Sequence, residues 1–332
     1  MEPAVEAQFT AERRAHLARA FGADPDQLEK LGDFENYVFG FERDGERLVL
    51  RMTHPSHRSA RQMEAELDWV EHLAANGLRV ARPVQSRNGR WTESVGEGDG
   101  MFHACAFHRM PGDLPGPEDW KPGIFRKWGA YVGQMHRLSE SYVPTAGLEP
   151  RLRWDQDPYW VNGREFIPAD HTGVLEQWDA LAERMRALPE APGAFGLCHT
   201  DLHPGNFHLH EGEIYGFDTD DCVRHWYLED LSSLLYYGRR VGDYEPERYA
   251  REAWPEIWEG YSREYTLDPA WLEHLELFMQ WRRLTLYALV YLKLSPDHPE
   301  FATYVDKVKP LIEREEPIFS ADLRELAGVS RA

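Results

Sequence analysis

A stretch rich in proline and glycine, HRMPGDLPGP at residues 108–117, separates two parts of the chain that differ in hydrophobic periodicity. Before it, NYVFGF and RLVLRM have the pattern of two strands around Asp44-Gly45, a dipeptide typical of tight hairpins. After it, IFRKWGAYVGQMHRLS and most of the following sequence have helical periodicity. Strands followed by helices predict an α+β fold with a small sheet-rich first lobe, residues 1–109, and a larger helical second lobe, residues 110–332.

Capping residues mark helix ends within the first lobe. Thr10 is a candidate N-cap for the helical sequence TAERRAHLARAFG. In SARQMEAELDWVEHLAANG, Ser59 and Gln62 have the spacing of a capping box, and Gly77 marks the stop. VARPVQS, GRWTES and MFHACAF have the composition of further strands. The lobe is therefore expected to combine an antiparallel sheet with two helices.

Composition narrows the partners and the compartment. The formal net charge of −20 argues against nucleic-acid or anionic-membrane binding. The cysteines form no CxxC pair and suit a reducing compartment, and they are Cys105, Cys198 and Cys222. No run approaches the roughly 18 apolar residues that a membrane helix needs. We therefore expect a soluble, cytoplasmic protein.

The segment LCHTDLHPGNFHLHEGEIYGFDTDD, residues 197–221, concentrates the candidate chemistry. Asp201 follows a short apolar strand in a loop, and Asn206 opens the strand NFHLH. A hairpin between NFHLH and EIYGF can return Asp218 to the neighbourhood of Asn206, which would pair two oxygen ligands suited to Mg²⁺. Asp201 could then accept a proton from an attacking hydroxyl. Metal ligands beside a carboxylate base are what phosphoryl transfer requires.

The histidines of this segment allow a zinc site as an alternative. His208 and His210 share one face of their strand, and zinc binding would need them beside His199 or His203. A hairpin with polar residues on its outer face gives the same spacing without any chemistry. We favour that interpretation and assign the metal to the carboxylates.

HTDLHPGN followed by FD resembles the catalytic loop and the metal-binding aspartate of the aminoglycoside phosphotransferase and choline kinase-like superfamily, the small-molecule relatives of protein kinases. This resemblance implies a two-lobed protein-kinase-like fold and transfer of the γ-phosphoryl of ATP or GTP to an alcohol group, with Mg²⁺ as cofactor. Asp201 would be the catalytic base, and Asn206 and Asp218 would bind the metal. His199 and Asp230, which opens LEDLSSLLYY, would support the loop structurally.

The same resemblance assigns nucleotide-binding residues in the first lobe. LGDFENYVF, with Gly32 and Asn36, lies where a phosphate-covering loop is needed. RLVLRM places Arg51 where protein kinases carry lysine, and arginine can also bind phosphate. Glu66, which begins ELDWVEHLAANG, would orient this cation, with Glu64 as the competing residue.

The strand MFHACAF and the following HRMPG resemble the hinge whose backbone meets adenine, which implies contacts at His108 and Met110. The nucleotide is then expected between the lobes, with residues 108–112 as the hinge. The resemblance extends from residue 28 to about residue 240. Within the superfamily, the sequence VLRMTHPSHRSARQMEAELDWVEHLAANG is similar to that of bacterial phosphotransferase-family or homoserine kinase type II-like proteins.

The preferred hypothesis is a small-molecule kinase that binds a nucleotide and a hydroxyl-bearing substrate. A protein Ser/Thr kinase of the same fold and a non-catalytic nucleotide-binding regulatory protein are the alternatives. Acceptor-pocket candidates are RWDQDPYW at residues 153–160, Tyr236, Tyr237 and the helix at residues 272–293, most of which we expect to be core.

A local excess of acidic residues bears on the acceptor. Between Asp201 and Asp230 there are eight acidic residues and one basic residue. Asp220 and Asp221, directly after Asp218, are expected to leave the rim of the site negative. This favours an amine-bearing acceptor such as an amino alcohol, an amino acid or an aminoglycoside.

Overall fold

The computed structural model describes residues 3–33 and 35–329, without the side chains of Pro3, Ala4, Asp99, Tyr159 and Trp160. The chain divides into two compact units, which are Met1–Gly112, Tyr142–Arg151 and Tyr215–Asp220 for unit 1, and Asp113–Ser141, Leu152–Ile214 and Asp221–Ala332 for unit 2. The first change of unit, after Gly112, falls within the linker at 108–117. Residues 142–151 and 215–220 also belong to unit 1, so a single division at residue 109 does not describe the two units completely.

Unit 1 combines an antiparallel sheet with helices. The helices are α1 (Pro3–Glu6), α2 (Ala11–Ala20) and α3 (Ala60–Ala75), and the strands are β1 (Glu29–Gly32), β2 (Tyr37–Arg43), β3 (Glu46–Thr53), β4 (Pro83–Val84), β5 (Glu93–Val95) and β6 (Phe102–His108). The sheet has the order β1-β2-β3-β6-β4, and β5 also pairs with β6. Chain neighbours β1, β2 and β3 pair in sequence, as expected for hairpin connections.

Local signals explain these elements. Asp44 and Gly45 have φ of 57° and 83°, the left-handed values of a two-residue hairpin turn, and Arg43 pairs with Glu46 across it. Ser59 and Gln62 form the predicted capping box of α3, and Thr10 caps α2. These predictions are confirmed. Only two residues of VARPVQS form a strand, because Pro83 lacks the N–H that a longer ladder needs.

The core of unit 1 lies on both faces of the sheet. One cluster packs α2 against the sheet, and β3 contributes Leu48, Leu50 and Met52 to it. A second cluster, on the α3 side, contains Met63, Leu67, Ala81, Cys105 and Phe107. Because β6 is buried on both faces, the strand that precedes the predicted hinge is one of the most enclosed elements of the unit.

Unit 2 is mainly helical. Its helices are α4 (Ile124–Glu140), α5 (Pro158–Phe166), α6 (Thr172–Arg186), α7 (Leu228–Gly238), α8 (Pro246–Glu264), α9 (Leu275–Lys293), α10 (Pro299–Glu313) and α11 (Leu323–Leu326). Its short strands are β7 (Phe195–Cys198), β8 (Phe207–His210), β9 (Glu213–Gly216) and β10 (Val223–Trp226). The last two residues of β9 belong to the third segment of unit 1, which starts at Tyr215. Glycine allows α4 and α8 to pack closely, since a Cβ on Gly129 would meet the carbonyl oxygen of Ile257 at 1.9 Å.

The α+β fold class is confirmed: a small antiparallel sheet unit and a larger helical unit are present. Strand β7 pairs antiparallel with β10, with Cys198 opposite Val223, and the loop after β7 carries the predicted catalytic residues. Helices α7 and α9 are apolar and largely buried, so they form a rigid base for this loop. Within the described residues, no helix combines the length and apolar character required to cross a membrane.

Candidate active site

In unit 1, Arg51 and Glu66 form a buried ion pair. Arg51 Nη1 donates to Glu66 Oε1 at 3.0 Å and Nη2 donates to Oε2 at 2.5 Å, a bidentate geometry. The two side chains are 4% and 0% exposed. Burial works against the Arg51 charge, but the neighbouring acidic groups keep the pKa of Arg51 well above its usual value. Glu64 instead accepts a hydrogen bond from Thr92, so the structure brings Glu66 to Arg51.

The pair is extended by the segment after β9. Thr219 Oγ1 donates to Glu66 Oε1 at 2.7 Å. Asp218, the predicted metal ligand, has an exposed side chain and a left-handed backbone with φ of 62°. Non-glycine residues seldom adopt this conformation, and when they do they often belong to functional sites. The strain therefore falls on the residue to which the sequence assigns the metal.

In the predicted phosphate loop, Asn36 makes two buried hydrogen bonds. This side chain is buried, its Nδ2 donates to Asp220 Oδ2 at 2.6 Å, and its Oδ1 accepts from Thr53 Oγ1 at 2.7 Å. Gly32 ends β1, where the pairing with β2 shifts register, and a Cβ there would meet no atom within 4 Å. Phe34, in the same loop, lies outside the described residues.

The predicted hinge residues follow the central strand of unit 1. The backbone N–H of His108 donates to the Arg82 carbonyl at 2.9 Å. Met110 is partly buried and packs on the apolar cluster that includes Cys105, together with Phe217. A partly buried apolar surface of this kind suits a flat heterocycle.

In unit 2, the loop after β7 is strained and strongly anchored. Thr200 has φ of 67°, which is rare for a β-branched residue. Its N–H donates to Asp230 Oδ1 at 2.6 Å, and its carbonyl accepts from Ser233 Oγ at 3.1 Å and from Arg282 Nη2. His199 N–H donates to the second Asp230 oxygen at 3.1 Å. Side chains thus hold the loop backbone in a conformation that it would not otherwise keep.

Asp230 is itself completely buried. His136 Nε2 donates to its Oδ2 at 2.8 Å. Burial alone would raise the pKa of Asp230, but the hydrogen bond from His136 and the backbone N–H donors keep that pKa below its usual value. The carboxylate therefore stays charged and can hold two loop N–H groups at once.

Asp201 lies at the end of this anchored loop and is partly exposed. Asn206 Nδ2 donates to the Asp201 carbonyl at 2.9 Å and to its Oδ2 at 3.3 Å. Tyr237 OH donates to Asp201 Oδ1 at 3.0 Å, and Arg282 Nη1 lies 3.8 Å from the same oxygen. The carboxylate is oriented by neutral donors and keeps contact with solvent, which suits a general base.

The donor atoms fit a hard divalent cation. Because Asn206 Nδ2 donates to Asp201, the amide oxygen Oδ1 is directed elsewhere and is the atom that could coordinate a metal. In unit 1, considered separately, Asp218 presents an exposed carboxylate. Amide and carboxylate oxygens are ligands that Mg²⁺ accepts, usually together with waters and substrate phosphates.

Sequence reasoning missed Arg282 as a site residue. Its guanidinium is buried between Glu229, at 2.5 Å, and the loop carbonyl of Thr200. Burial raises the pKa of Glu229 to about 7, and Arg282 opposes that rise. The signal was present as two adjacent arginines in an apolar helix, FMQWRRLTLYALVY, where a charge requires a buried partner.

The histidines of residues 197–221 do not assemble a zinc site. Among the described residues, the groups of three potential ligands close enough for a metal do not include His203, His208 or His210. The group in unit 2 is His136, Cys198 and Asp230, and it is fully buried and already hydrogen-bonded. The outer-face interpretation of His208 and His210 fits this arrangement better.

The prediction that Asp220 contributes to a negative rim around the site is wrong. This residue is 5% exposed, and its carboxylate accepts hydrogen bonds from Asn36 and His57. Glu229 and Asp230 are also buried and paired, so the count of acidic residues overstates the charge that an acceptor would meet. In the acceptor-candidate stretch 153–160, the side chains of Tyr159 and Trp160 lie outside the described residues, and Trp154 is core.

The chain is similar to known phosphotransferases in sequence and in fold. The family model described as Phosphotransferase enzyme family matches residues 26–277. Amicoumacin kinase from Bacillus subtilis (strain 168) is 35% identical over 281 residues, which cover 83% of each chain. A solved amicoumacin kinase in complex with AMP-PNP, Ca²⁺ and Ami has a TM-score of 0.92 and 31% identity, covering 98% of this chain and 100% of that one.

A microcompartment-associated aminopropanol kinase shares the fold, with a TM-score of 0.73 and 22% identity over 95% of this chain and 98% of that one. The fold and the site define a kinase-like phosphotransferase that acts on an alcohol group. The chain belongs to the phosphotransferase enzyme family. The relatives support a small-molecule kinase over the protein kinase and non-catalytic alternatives.

Proposed function

We propose that this protein is an ATP- and Mg²⁺-dependent kinase that phosphorylates a hydroxyl group of amicoumacin or of a chemically related small molecule. The observation that carries the proposal is the 35% identity to amicoumacin kinase across 83% of both chains. The solved relative with AMP-PNP, Ca²⁺ and Ami supports a nucleotide and a divalent metal as cofactors. We place this activity in the cytoplasm, where ATP is available and buried free cysteines remain reduced.

Each predicted site residue receives a role. Residues 1–109 form the nucleotide-binding lobe, in which Arg51, held by Glu66, binds phosphate oxygens. Gly32 and Asn36 shape the loop near the phosphates, and the backbone at His108 and Met110 meets the base. ATP is preferred in this proposal, and GTP is tested beside it.

Residues 110–332 form the catalytic and substrate-binding lobe. Asp201 accepts the proton of the acceptor hydroxyl, while Tyr237 and Asn206 orient its carboxylate. Asn206 and Asp218 hold Mg²⁺, which when bound neutralises charge on the phosphate oxygens. His199 and Asp230 keep the loop backbone in place.

Two measurements test this function. Isothermal titration with AMP-PNP and Mg²⁺ should show binding by the folded protein. ADP release should then be assayed with a panel of acceptors that includes amicoumacin, amino alcohols, homoserine and aminoglycosides, with ATP and GTP as donors. Asp201→Asn, purified identically, controls for contaminating kinases. Absence of nucleotide binding would refute the proposal, and turnover of another panel member alone would correct the acceptor.

A further inference from the structure

The segment that carries Asp218 is held by its two following residues. Thr219 and Asp220 are 3% and 5% exposed, whereas Asp218 is exposed and left-handed. A strained residue persists only when its surroundings determine its conformation. The contacts of Thr219 and Asp220 therefore contribute to holding Asp218 in this conformation within unit 1.

Asp220 makes four contacts from one buried position. Its Oδ2 accepts from Asn36 Nδ2 at 2.6 Å and from His57 Nε2 at 2.9 Å. Its carbonyl accepts from Arg58 Nε at 3.0 Å and from Arg151 Nη2 at 2.6 Å. These donors come from the loop before β2, from the turn before α3 and from the segment Tyr142–Arg151, so Asp220 connects three separate parts of unit 1.

The segment at residues 218–220 also contacts the Arg51–Glu66 pair. Thr219 adds a link to the ion pair, because Glu66 Oε1 receives both its hydroxyl and Arg51 Nη1. Residues 218–220 are thus hydrogen-bonded to the predicted phosphate loop through Asn36 and to the Arg51–Glu66 pair through Thr219.

We propose that Asp220 is a positioning residue for metal binding, which fixes the Asp218 carboxylate by hydrogen bonds to Asn36 and His57. The inference rests on the proposed function, since it assumes that Asp218 binds the divalent cation. Residues that orient a metal ligand typically affect metal affinity or activity by about 10- to 100-fold when they are removed. Asp220 touches neither the reacting atoms nor the metal in this proposal.

The test measures metal binding directly. Mn²⁺ binding in the presence of AMP-PNP is followed by electron paramagnetic resonance for the full-length wild type and for Asp220→Ala. We expect the variant to need about tenfold more Mn²⁺ for half-saturation. Asp220→Asn keeps an oxygen that can accept both hydrogen bonds, and its midpoint should stay within about threefold of wild type.

Asp68→Ala is the matched control. Asp68 is also partly buried in unit 1 and accepts three hydrogen bonds, from Tyr142 and Thr145, but none joins the segment at residues 218–220. It should lower thermal stability without changing the Mn²⁺ midpoint. Equal midpoints for wild type and Asp220→Ala would overturn the positioning role, as would equal losses in Asp220→Ala and Asp220→Asn.

His57→Phe provides a second variant if Asp220→Ala does not fold. It removes one of the two donors to Asp220 Oδ2, so we expect a rise of about threefold in the Mn²⁺ midpoint, and no rise would contradict the proposal. Failure of the wild type itself to bind Mn²⁺ with AMP-PNP would refute the proposed function and the positioning role together. Wild-type binding that the variants do not change would refute the positioning role alone.

Discussion

The two units hold their candidate catalytic groups in different ways. In unit 1, Arg51 and Glu66 project from a strand and a helix and neutralise each other side chain to side chain. In unit 2, Asp201 lies on a loop whose backbone is held by side chains from α7 and α9, chiefly Asp230 and Arg282. Unit 1 therefore places paired charges on a strand and a helix, whereas unit 2 places its candidate base on a loop with a strained backbone.

The difference predicts which properties a substitution should change. Removing a charge in unit 1 leaves the backbone elements intact, so ligand affinity should respond more than folding. Removing an anchor in unit 2 releases a strained loop, so turnover and stability should fall together. Asp218 is the hardest test of this difference between the units. It belongs to unit 1, but its backbone is left-handed like that of Thr200 in unit 2.

Asp218→Ala should have the largest effect. We expect turnover to be abolished, with a fall of more than about 10⁴-fold, because the residue assigned to the metal is lost. Raising Mg²⁺ should restore only a little activity. Asp218→Asn is the companion variant, since asparagine tolerates the left-handed backbone and isolates the loss of charge. Full ADP release by Asp218→Ala would remove the metal assignment.

Asp201→Asn should lower kcat by about 10³-fold, within the range for loss of a general base. The amide oxygen can still accept from Tyr237, and Asn206 keeps its hydrogen bond to the backbone carbonyl of residue 201, so the affinity for AMP-PNP and the melting temperature should stay near those of wild type. Asp113→Asn, an exposed change in the same unit, is the control. A variant with intact kcat would show that Asp201 is not the base.

The same contrast explains what the sequence could predict. The hairpin at Asp44-Gly45 and the capping box at Ser59 follow from adjacent residues, so local patterns were sufficient. The Arg51–Glu66 pair and the anchoring contacts of Asp230 involve residues that the family resemblance had already named. The sequence order of the motifs was therefore enough to propose most members of the site.

What the sequence could not predict depends on tertiary contacts. The charge count treated Asp220 as part of an exposed rim, because composition does not indicate which carboxylate finds buried donors. Arg282 contacts the loop carbonyl of Thr200 from 82 residues away, and helical periodicity only marks its helix as core. The return of residues 142–151 to unit 1 likewise has no local signal.

Arg282→Met should destabilise unit 2 by about 1–3 kcal/mol, because it leaves the Glu229 carboxyl and the Thr200 carbonyl buried without this donor. It should also lower kcat, since Thr200 and Asp201 lose a contact. Arg283→Met is the matched control, because the neighbouring guanidinium donates to the carbonyls of Leu311 and Glu316, away from the catalytic loop. Urea unfolding and kcat measured on both variants check this; unchanged kcat in Arg282→Met would separate stability from loop geometry.

Glu66→Gln should raise the KM for ATP by about tenfold with a small change in kcat, because Arg51 loses the partner that orients it. Glu64→Gln, on the same helix but bonded to Thr92, should behave as wild type. Steady-state kinetics with varied ATP make the comparison. A fall in kcat without a rise in KM would contradict the expectation that charge removal in unit 1 mainly changes ligand affinity.

The smallest effect concerns His225, which carries no carboxylate partner in the described structure and lies buried in β10. Burial, assisted by the charge of Arg282, lowers its pKa to about 3. The unfolded chain binds this proton near pH 6.5 and the folded chain does not, so stability is fully present above pH 6.5 and is lost as the pH falls. Lowering the pH from 6.5 to 5.5 should reduce the free energy of unfolding by about 1 kcal/mol through this residue.

In His225→Asn, the side-chain oxygen can still accept the Trp226 N–H that His225 Nδ1 now receives at 3.0 Å, so the fold should survive without the titrating group. Urea unfolding at the two pH values should therefore show a flatter dependence for this variant than for wild type. His16→Asn, an exposed change in α2, should keep the wild-type slope. If the free energy of unfolding depends on pH equally in all three proteins, His225 is not the source of the pH dependence. The charge of Arg282 would then not destabilise the protein in acid through this histidine.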